Sequence, residues 1–281
     1  MESEYLQGLR ETITVRGRHK SLMKTTRLFA TLLTLALCSA ARAQTLDNAK
    51  LDQLFDRLLE KNKGMGSLVL AKDGAVLYRR SFGYGQVTEN DKTLLTADTK
   101  YRISSITKMY TAVMVFQLVE EGKLKLTDTL DTFVPQIPNA GRITIAQMLG
   151  HRSGIPALQP GESWWRQPKT KDDIVAAIAK GQPQFEPDTK TAYSNEGYVL
   201  LGYVVEQAGG TPYRDALKER ITSKIGLKDT YLGIGQADPA KHEAIAYHYV
   251  GGWREGSEPD LSIPGAAGAI LSTPEDMTIF I

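Results

Sequence analysis

The sequence predicts an α+β fold: a β-hairpin, then a mostly helical middle, then an ending that opens one more helix. Three observations carry this. Two β-rich runs flank Lys72-Asp73-Gly74 in GSLVLAKDGAVLYRRSFGYG, and Asp-Gly between such runs is a strong hairpin turn. From Thr99 onward the apolar spacing is helical. Helix-start patterns then recur through the rest of the chain. With 281 residues, 42% hydrophobic and 23% charged, the chain has enough apolar mass for a real core.

The first 43 residues read as targeting rather than fold. MKTTRLFATLLTLALCSAARAQ begins at Met23 with Lys24 and Arg27, and an apolar run follows from Leu28 to Cys38. Ala41-Arg42-Ala43 fits the small-x-small cleavage pattern, so Gln44 is the expected first mature residue. The apolar run is too short to span a bilayer, which leaves no stable membrane insertion after cleavage. Residues 1–22 precede a normal signal start and read as an upstream extension. The expected organisation is therefore 1–43 as extension and signal peptide, and 44–281 as one folded domain. The expected location is periplasmic or secreted. Cys38 is the only cysteine, so the mature chain has no disulfide and no thiol chemistry. The formal charge of +2 belongs to the leader: residues 1–43 hold seven basic and three acidic groups, leaving 27 basic and 29 acidic. That balance gives no footprint for nucleic acid.

The elements follow in order. LDQLFDRLLEKNKG, from Leu51, has apolar residues at 51, 54, 55, 58 and 59 and ends at Gly64, which is a helix. The hairpin from Ser67 to Tyr84 is the only sheet-forming pair expected before the helical middle. YRISSITKMYTAVMVFQLVEEG opens a long apolar helix. Thr144 to Gln147 reads as a capping box, and Thr170 to Asp173 as its aspartate variant. Pro212 and Pro274 are placed for first helical positions. PALQPGESWWRQPKT, residues 156–170, reads as a long surface loop. There is no internal repeat and no low-complexity tract.

Ser105 stands three places before Lys108 at the mouth of that apolar helix. Residues three apart share a helix face, so hydroxyl and amine can touch. A serine is a poor nucleophile alone, and a neighbouring amine in its free-base form can take its proton. A helix N-terminus also aims N–H groups at a developing oxyanion. The pattern is cheap, however: Ser21 and Lys24 in the leader match it too. A second constellation is Tyr193-Ser194-Asn195, the only Tyr-x-Asn in the chain, in a polar loop before another apolar helical run. A loop phenol beside an amine can shuttle a proton, and an amide such as Asn195 can bond a substrate carbonyl. The plainer reading of this tripeptide is a turn tyrosine with a capping asparagine.

Taken together, YRISSITKMYTA, VEEGKLKLTDTL, ITIAQMLGHRSGIP, FEPDTKTAYSNEGYVLLG and GAAGAILSTPEDMTIF resemble, in order, the serine β-lactamase and penicillin-binding protein superfamily. The resemblance lies on its Tyr-x-Asn side, with class C β-lactamases, DD-peptidases and related esterases, and spans roughly residues 50–281. It implies a β-lactamase/transpeptidase-like fold: an antiparallel sheet with flanking helices plus a mostly helical subdomain. It implies Ser105 as the acylated nucleophile, Lys108 as its proton acceptor and Tyr193 as the base that aids deacylation or protonates the leaving group. Asn195 would orient the substrate amide. His151, in HRSG, matches a family structural motif and is expected to be a packed, hydrogen-bonded residue. The implied substrate is a small molecule or peptide: a β-lactam, a D-Ala-D-Ala peptide or an ester. No cofactor and no metal is implied.

The family's third motif, Lys-Thr-Gly or His-x-Gly, has no candidate here. By resemblance it would stand on one of three strands, followed by a closing helix, beyond Ile281. The chain is thus expected to carry two of three active-site elements. Other chemistries lack their patterns: no Gly-x-Ser-x-Gly elbow, no clustered metal ligands around His151, His242 and His248, and no glycine-rich phosphate loop in GIGQADPA. The competing reading of another class is an inactive relative that binds peptidoglycan or a protein partner.

Overall fold

The computed structural model describes residues 46–88 and 92–281. The expected signal peptide, the expected cleavage point after Ala43 and Cys38 lie outside the described residues. The chain divides into residues 1–48 and residues 49–281, and the architecture below belongs to the second unit.

The hairpin forms where Asp-Gly places it. β1 (Gly66–Lys72) pairs antiparallel with β2 (Ala75–Phe82), Lys72 facing Ala75. Asp73 (φ 51°) and Gly74 (φ 76°) are both left-handed, the geometry of a tight hairpin turn that follows strand twist. Helix α1 (Asn48–Glu60) lays Phe55 against Tyr78 and Phe82 of β2, with ring centroids 6.2 and 4.9 Å apart. Arg80 adds ion pairs to Asp52 (2.9 Å) and Asp56 (2.5 Å). Both acids are half-exposed, so ring burial does more of the holding than charge.

The hairpin is not the only pair before the helices. β3 (Tyr84–Val87) pairs with β4 (Lys92–Leu94). Further on, β5 (Tyr101–Arg102), β6 (Tyr231–Leu232) and β9 (Ile270–Ser272) form a three-stranded antiparallel sheet in the order β5-β9-β6. β7 (Tyr247–Tyr249) and β8 (Trp253–Glu255) make another short hairpin. Strands of two or three residues show no alternation to read, which is why the sequence did not reveal them.

The helical middle is built on α2 (Thr107–Glu120) and α5 (Asn195–Gly209). Tyr110, Met114 and Leu118 from α2 are fully buried in one cluster with Leu200, Leu201, Val204 and Val205 from α5. Each such side chain contributes roughly 1.5–3 kcal/mol of burial relative to water. α2 is apolar nearly all round, and Met109, Val113 and Phe116 are left exposed on its other side. Both capping boxes form, at Thr144 for α3 (Ile145–Leu149) and at Thr170 for α4 (Lys171–Ala179). Pro212 caps α6 (Tyr213–Leu217) from outside, one place earlier than its spacing suggested, whereas Pro274 takes the first position of α8 (Pro274–Phe280). The short helix α7 (Gly265–Gly268) crosses α5 at Gly202, where an added Cβ would stand 2.3 Å from Ala266 Cβ. Among the described residues, no helix is long and apolar enough to cross a membrane.

Asp276 ties α8 to the turn before β6. It is 4% exposed and accepts from Lys228 N (3.3 Å), Asp229 N (2.8 Å) and Thr230 Oγ1 (2.7 Å). Asp276→Ala would take the shared acceptor from these three donors, of which the Thr230 hydroxyl is buried. The expected loss is about 3 kcal/mol, seen as a fall of roughly 6–12 °C in Tm. Thermal circular dichroism checks it, and an unchanged melt would refute the assignment of Asp276 as the joint.

Candidate active site

Ser105 sits in a 3₁₀ turn (Ser104–Ile106) that runs directly into α2. In such a turn residues three apart nearly eclipse, so Lys108, the second residue of α2, is carried over Ser105. Ser104, just before, holds a left-handed φ of 47°, a backbone state that non-glycine residues seldom take. Ser105 itself remains exposed, while Lys108 is 6% exposed.

Three acceptors surround the buried amine. Lys108 Nζ lies 3.3 Å from Ser105 Oγ, 2.9 Å from Asn195 Oδ1 and 2.8 Å from the carbonyl of Ala267. The last contact comes from α7, brought close by Gly202. Nζ also stands over the rings of Tyr193 (4.7 Å) and Tyr198 (5.7 Å), where the negative π-face favours a cation.

Tyr193 completes the group. Its hydroxyl donates to Ser105 Oγ at 2.6 Å, shorter than the amine–serine contact. Burial would raise this phenol, but the Lys108 amine and the Ser105 hydroxyl outweigh it, and the net direction is below the ordinary tyrosine range. Tyr193 hangs just before α5, whose N-cap is Ser194: Ser194 Oγ accepts from Gly197 N at 3.0 Å. The cap is thus the serine and not Asn195, which is the first helical residue. With Oδ1 held by Lys108, the amide NH₂ of Asn195 is left for a ligand. The structure thus brings Ser105, Lys108, Tyr193 and Asn195, up to 90 positions apart in sequence, into one cluster.

Beside Ser105 lies a cavity of about 250 Å³, walled by Asn195, Leu158, Trp165, Val199 and Ile263. Its lining comes from the 156–170 loop, α5 and the 258–264 segment. Trp165 O accepts from Asp260 N (2.8 Å) and Glu196 Oε1 from Leu158 N (2.9 Å), so both loops are tied down. Arg102, missed in the sequence, props the far wall. Its side chain is 7% exposed, with Nη1 donating to Pro259 O at 3.0 Å and Nε 3.3 Å from Glu258. Burial pushes the Glu258 carboxyl up, against the pull of Arg102. No sequence pattern marks Arg102, because its partners are more than 150 residues away.

His151, half-buried, is in place as a packed residue: its ring lies 4.7 Å from Tyr193 and 5.2 Å from Tyr198.

The chain has known relatives. The family model described as Beta-lactamase matches residues 51–281. Penicillin-binding protein 4* of Bacillus subtilis is 34% identical over 208 residues, covering 71% of this chain and 45% of its own length. The D-alanyl-D-alanine-carboxypeptidase/endopeptidase AmpH of Escherichia coli K12 is 28% identical over 271 residues, covering 91% and 68%. The chain thus spans about half the length of the first of these relatives. Among solved structures, the D-amino acid amidase of Ochrobactrum anthropi SV3 complexed with L-phenylalanine amide superposes with a TM-score of 0.70 at 31% identity, over 82% of this chain and 69% of that one. A penicillin binding protein from Bacillus halodurans gives a TM-score of 0.69 at 26% identity, over 80% and 70%. The α+β architecture is therefore of the β-lactamase/transpeptidase type. With a match over residues 51–281, the chain belongs to the beta-lactamase family.

Proposed function

We propose that this chain is, or is the core of, a serine acyl-hydrolase that works through an acyl-enzyme on Ser105. One observation carries the reading: Ser105 Oγ lies within 2.6 Å of the Tyr193 hydroxyl and 3.3 Å of the Lys108 amine, with Asn195 on the same amine. Lys108, once in its free-base form, takes the serine proton as Oγ attacks the substrate carbonyl. Tyr193, in immediate contact, passes a proton to the leaving group. The Tyr193 phenolate then takes a proton from the water that cleaves the acyl ester, and Lys108 returns its proton to the Ser105 oxygen as it is released. The Asn195 amide orients the substrate carbonyl. The apolar walls at Leu158, Trp165, Val199 and Ile263 favour a substrate with an apolar body, among β-lactams, D-Ala-D-Ala peptides and esters. The named relatives, a carboxypeptidase/endopeptidase and an amidase, support carbonyl–nitrogen substrates. The basic start and apolar run at residues 23–43 support export.

Tyr193→Phe tests the proton role. The hydroxyl bonds Ser105, so its loss should leave stability within about 0.5 kcal/mol. Turnover of p-nitrophenyl acetate should fall about 10²- to 10⁴-fold. The wild-type rate should also rise with pH through a limb below the ordinary tyrosine range, and Tyr193→Phe should lack that limb. A variant with the wild-type pH profile would refute the proton role.

A further inference from the structure

His151 grips the segment around Tyr193 from both sides. Its own carbonyl accepts from Ala192 N at 2.9 Å. Its ring Nδ1 accepts from Ser194 N at 3.1 Å. Between those anchors stands Tyr193, and the His151 ring lies against the Tyr193 ring at 4.7 Å. His151 makes both contacts from a left-handed backbone state, φ 56°, that non-glycine residues seldom take. Flanking contacts extend the grip: Asp188 N donates to Arg152 O at 2.8 Å and Gln184 N to Gly154 O at 2.9 Å. The segment 184–194 thus has no helix or strand of its own where it presents Tyr193. Residues 151–154 supply these contacts, beside those of Gln184 Nε2 to Ile155 O (2.8 Å) and of Arg142 to Glu186 (2.6 Å).

We propose that His151 is the positioning residue for Tyr193, holding the phenol on Ser105 through an unprotonated Nδ1 that accepts the Ser194 N–H. This rests on the reading of Ser105 and Tyr193 above, and adds a residue that touches neither substrate nor Ser105.

The bond fixes the tautomer. Nδ1 must be the acceptor, so the ring proton is on Nε2. Protonating Nδ1 would set donor against donor at Ser194 and release one of the two anchors. The groups around the ring are the Lys108 amine from α2, the Tyr193 phenol from the loop and the Tyr198 phenol from α5. Arg152, next in the chain, is paired with Asp188 at 2.8 Å, and Glu196 reaches Ser194 Oγ at 3.3 Å. Burial first, and the Lys108 charge second, hold His151 below the ordinary histidine range. The folded chain therefore binds this proton less readily than the unfolded one. The associated stability is complete above the ordinary histidine value and is lost as pH falls through the folded value. Acid should thus weaken the grip and the melt together.

Two substitutions separate the roles, and both accept a left-handed backbone. His151→Gly removes the acceptor and the ring. His151→Asn keeps an acceptor, Oδ1, near the place of Nδ1, but cannot titrate. With p-nitrophenyl acetate from pH 4.5 to 9, His151→Gly should lose about 10- to 100-fold in kcat with KM nearly constant, as expected for a catalytic group displaced by about 1 Å. His151→Asn should recover most of kcat at pH 8 and lose the acid limb of the wild type. Tyrosine-labelled ¹³C spectra of the full chain, with the Tyr193 signal assigned by Tyr193→Phe, give a readout that needs no turnover. In His151→Gly the Tyr193 titration should move up toward that of free tyrosine. If His151→Gly keeps the wild-type Tyr193 titration, the inference is overturned whatever the rates. If wild-type turnover equals that of Ser105→Ala, the hydrolase reading fails instead, and the Tyr193 titration alone decides whether His151 positions the phenol.

Discussion

Ser105→Ala is expected to abolish covalent labelling and to lower ester turnover by about 10⁴-fold or more. The reason is positional as much as chemical. Among the described residues, Ser105 Oγ is the hydroxyl that meets both the Lys108 amine and the Tyr193 phenol, and no other serine shares that pair. The check is intact mass after exposure to a fluorescent penicillin and, separately, to an activated ester. Wild type should gain one acyl adduct and Ser105→Ala none. Lys108→Ala should slow acylation by about 10²- to 10⁴-fold. That variant also loses the contacts to Asn195 and Ala267, so its melt must be measured beside its rate. A chain that only bound peptidoglycan would show no adduct in wild type and equal binding in all three proteins. Label on Ser105→Ala at the wild-type rate would overturn the nucleophile assignment.

The largest structural effect is expected at Gly154. Its φ is 67°, a state that costs an L-residue roughly 1–2 kcal/mol. A Cβ there would stand 2.0 Å from the backbone oxygen of Phe185, and backbone cannot swing aside as a side-chain tip can. Gly154→Ala must therefore push residues 184–188 away from 151–154. The expected cost is about 4 kcal/mol or more, with Tm lowered by roughly 10 °C. Because the displaced segment leads to Tyr193, surviving folded protein should also lose kcat. Urea unfolding followed by circular dichroism gives the first number, and ester turnover at 15 °C the second. A variant within 1 kcal/mol of wild type, taken as roughly a small surface effect, would mean that the loop gives way freely.

Local chemistry was legible in the sequence, and distant pairing was not. The Asp73-Gly74 turn, the caps at Thr144 and Thr170 and the Ser105–Lys108 spacing depend on residues within four positions of one another, so the text shows them directly. Tyr193 and Asn195 could be named from one tripeptide and the resemblance, yet the contact of Asn195 with Lys108 spans 87 positions. β5, β6 and β9 are too short for a period and exist because Leu271 pairs with both Arg102 and Tyr231. His151 was expected to be packed, but no spacing says that its ring would accept from Ser194. Helical periodicity also could not choose the buried side of α2, since both sides are apolar: Met114 is buried and Val113 exposed.

The amine of Lys108 has a further consequence for when this protein becomes reactive. Its acceptors come from positions 105, 195 and 267, so its full set of contacts closes loops of roughly 90 and 160 residues. Loop closure of that kind is unfavourable until a core holds the ends together, and contacts so distant form late in folding. An extended or newly made chain carries an ordinary serine and a solvated lysine with nothing between them but two residues. On the proposed mechanism, reactivity toward an acyl donor is thus a property of the finished fold alone. If Ser105 is acylated as proposed, its labelling should report the last step of assembly, read by adding an activated ester at intervals during refolding.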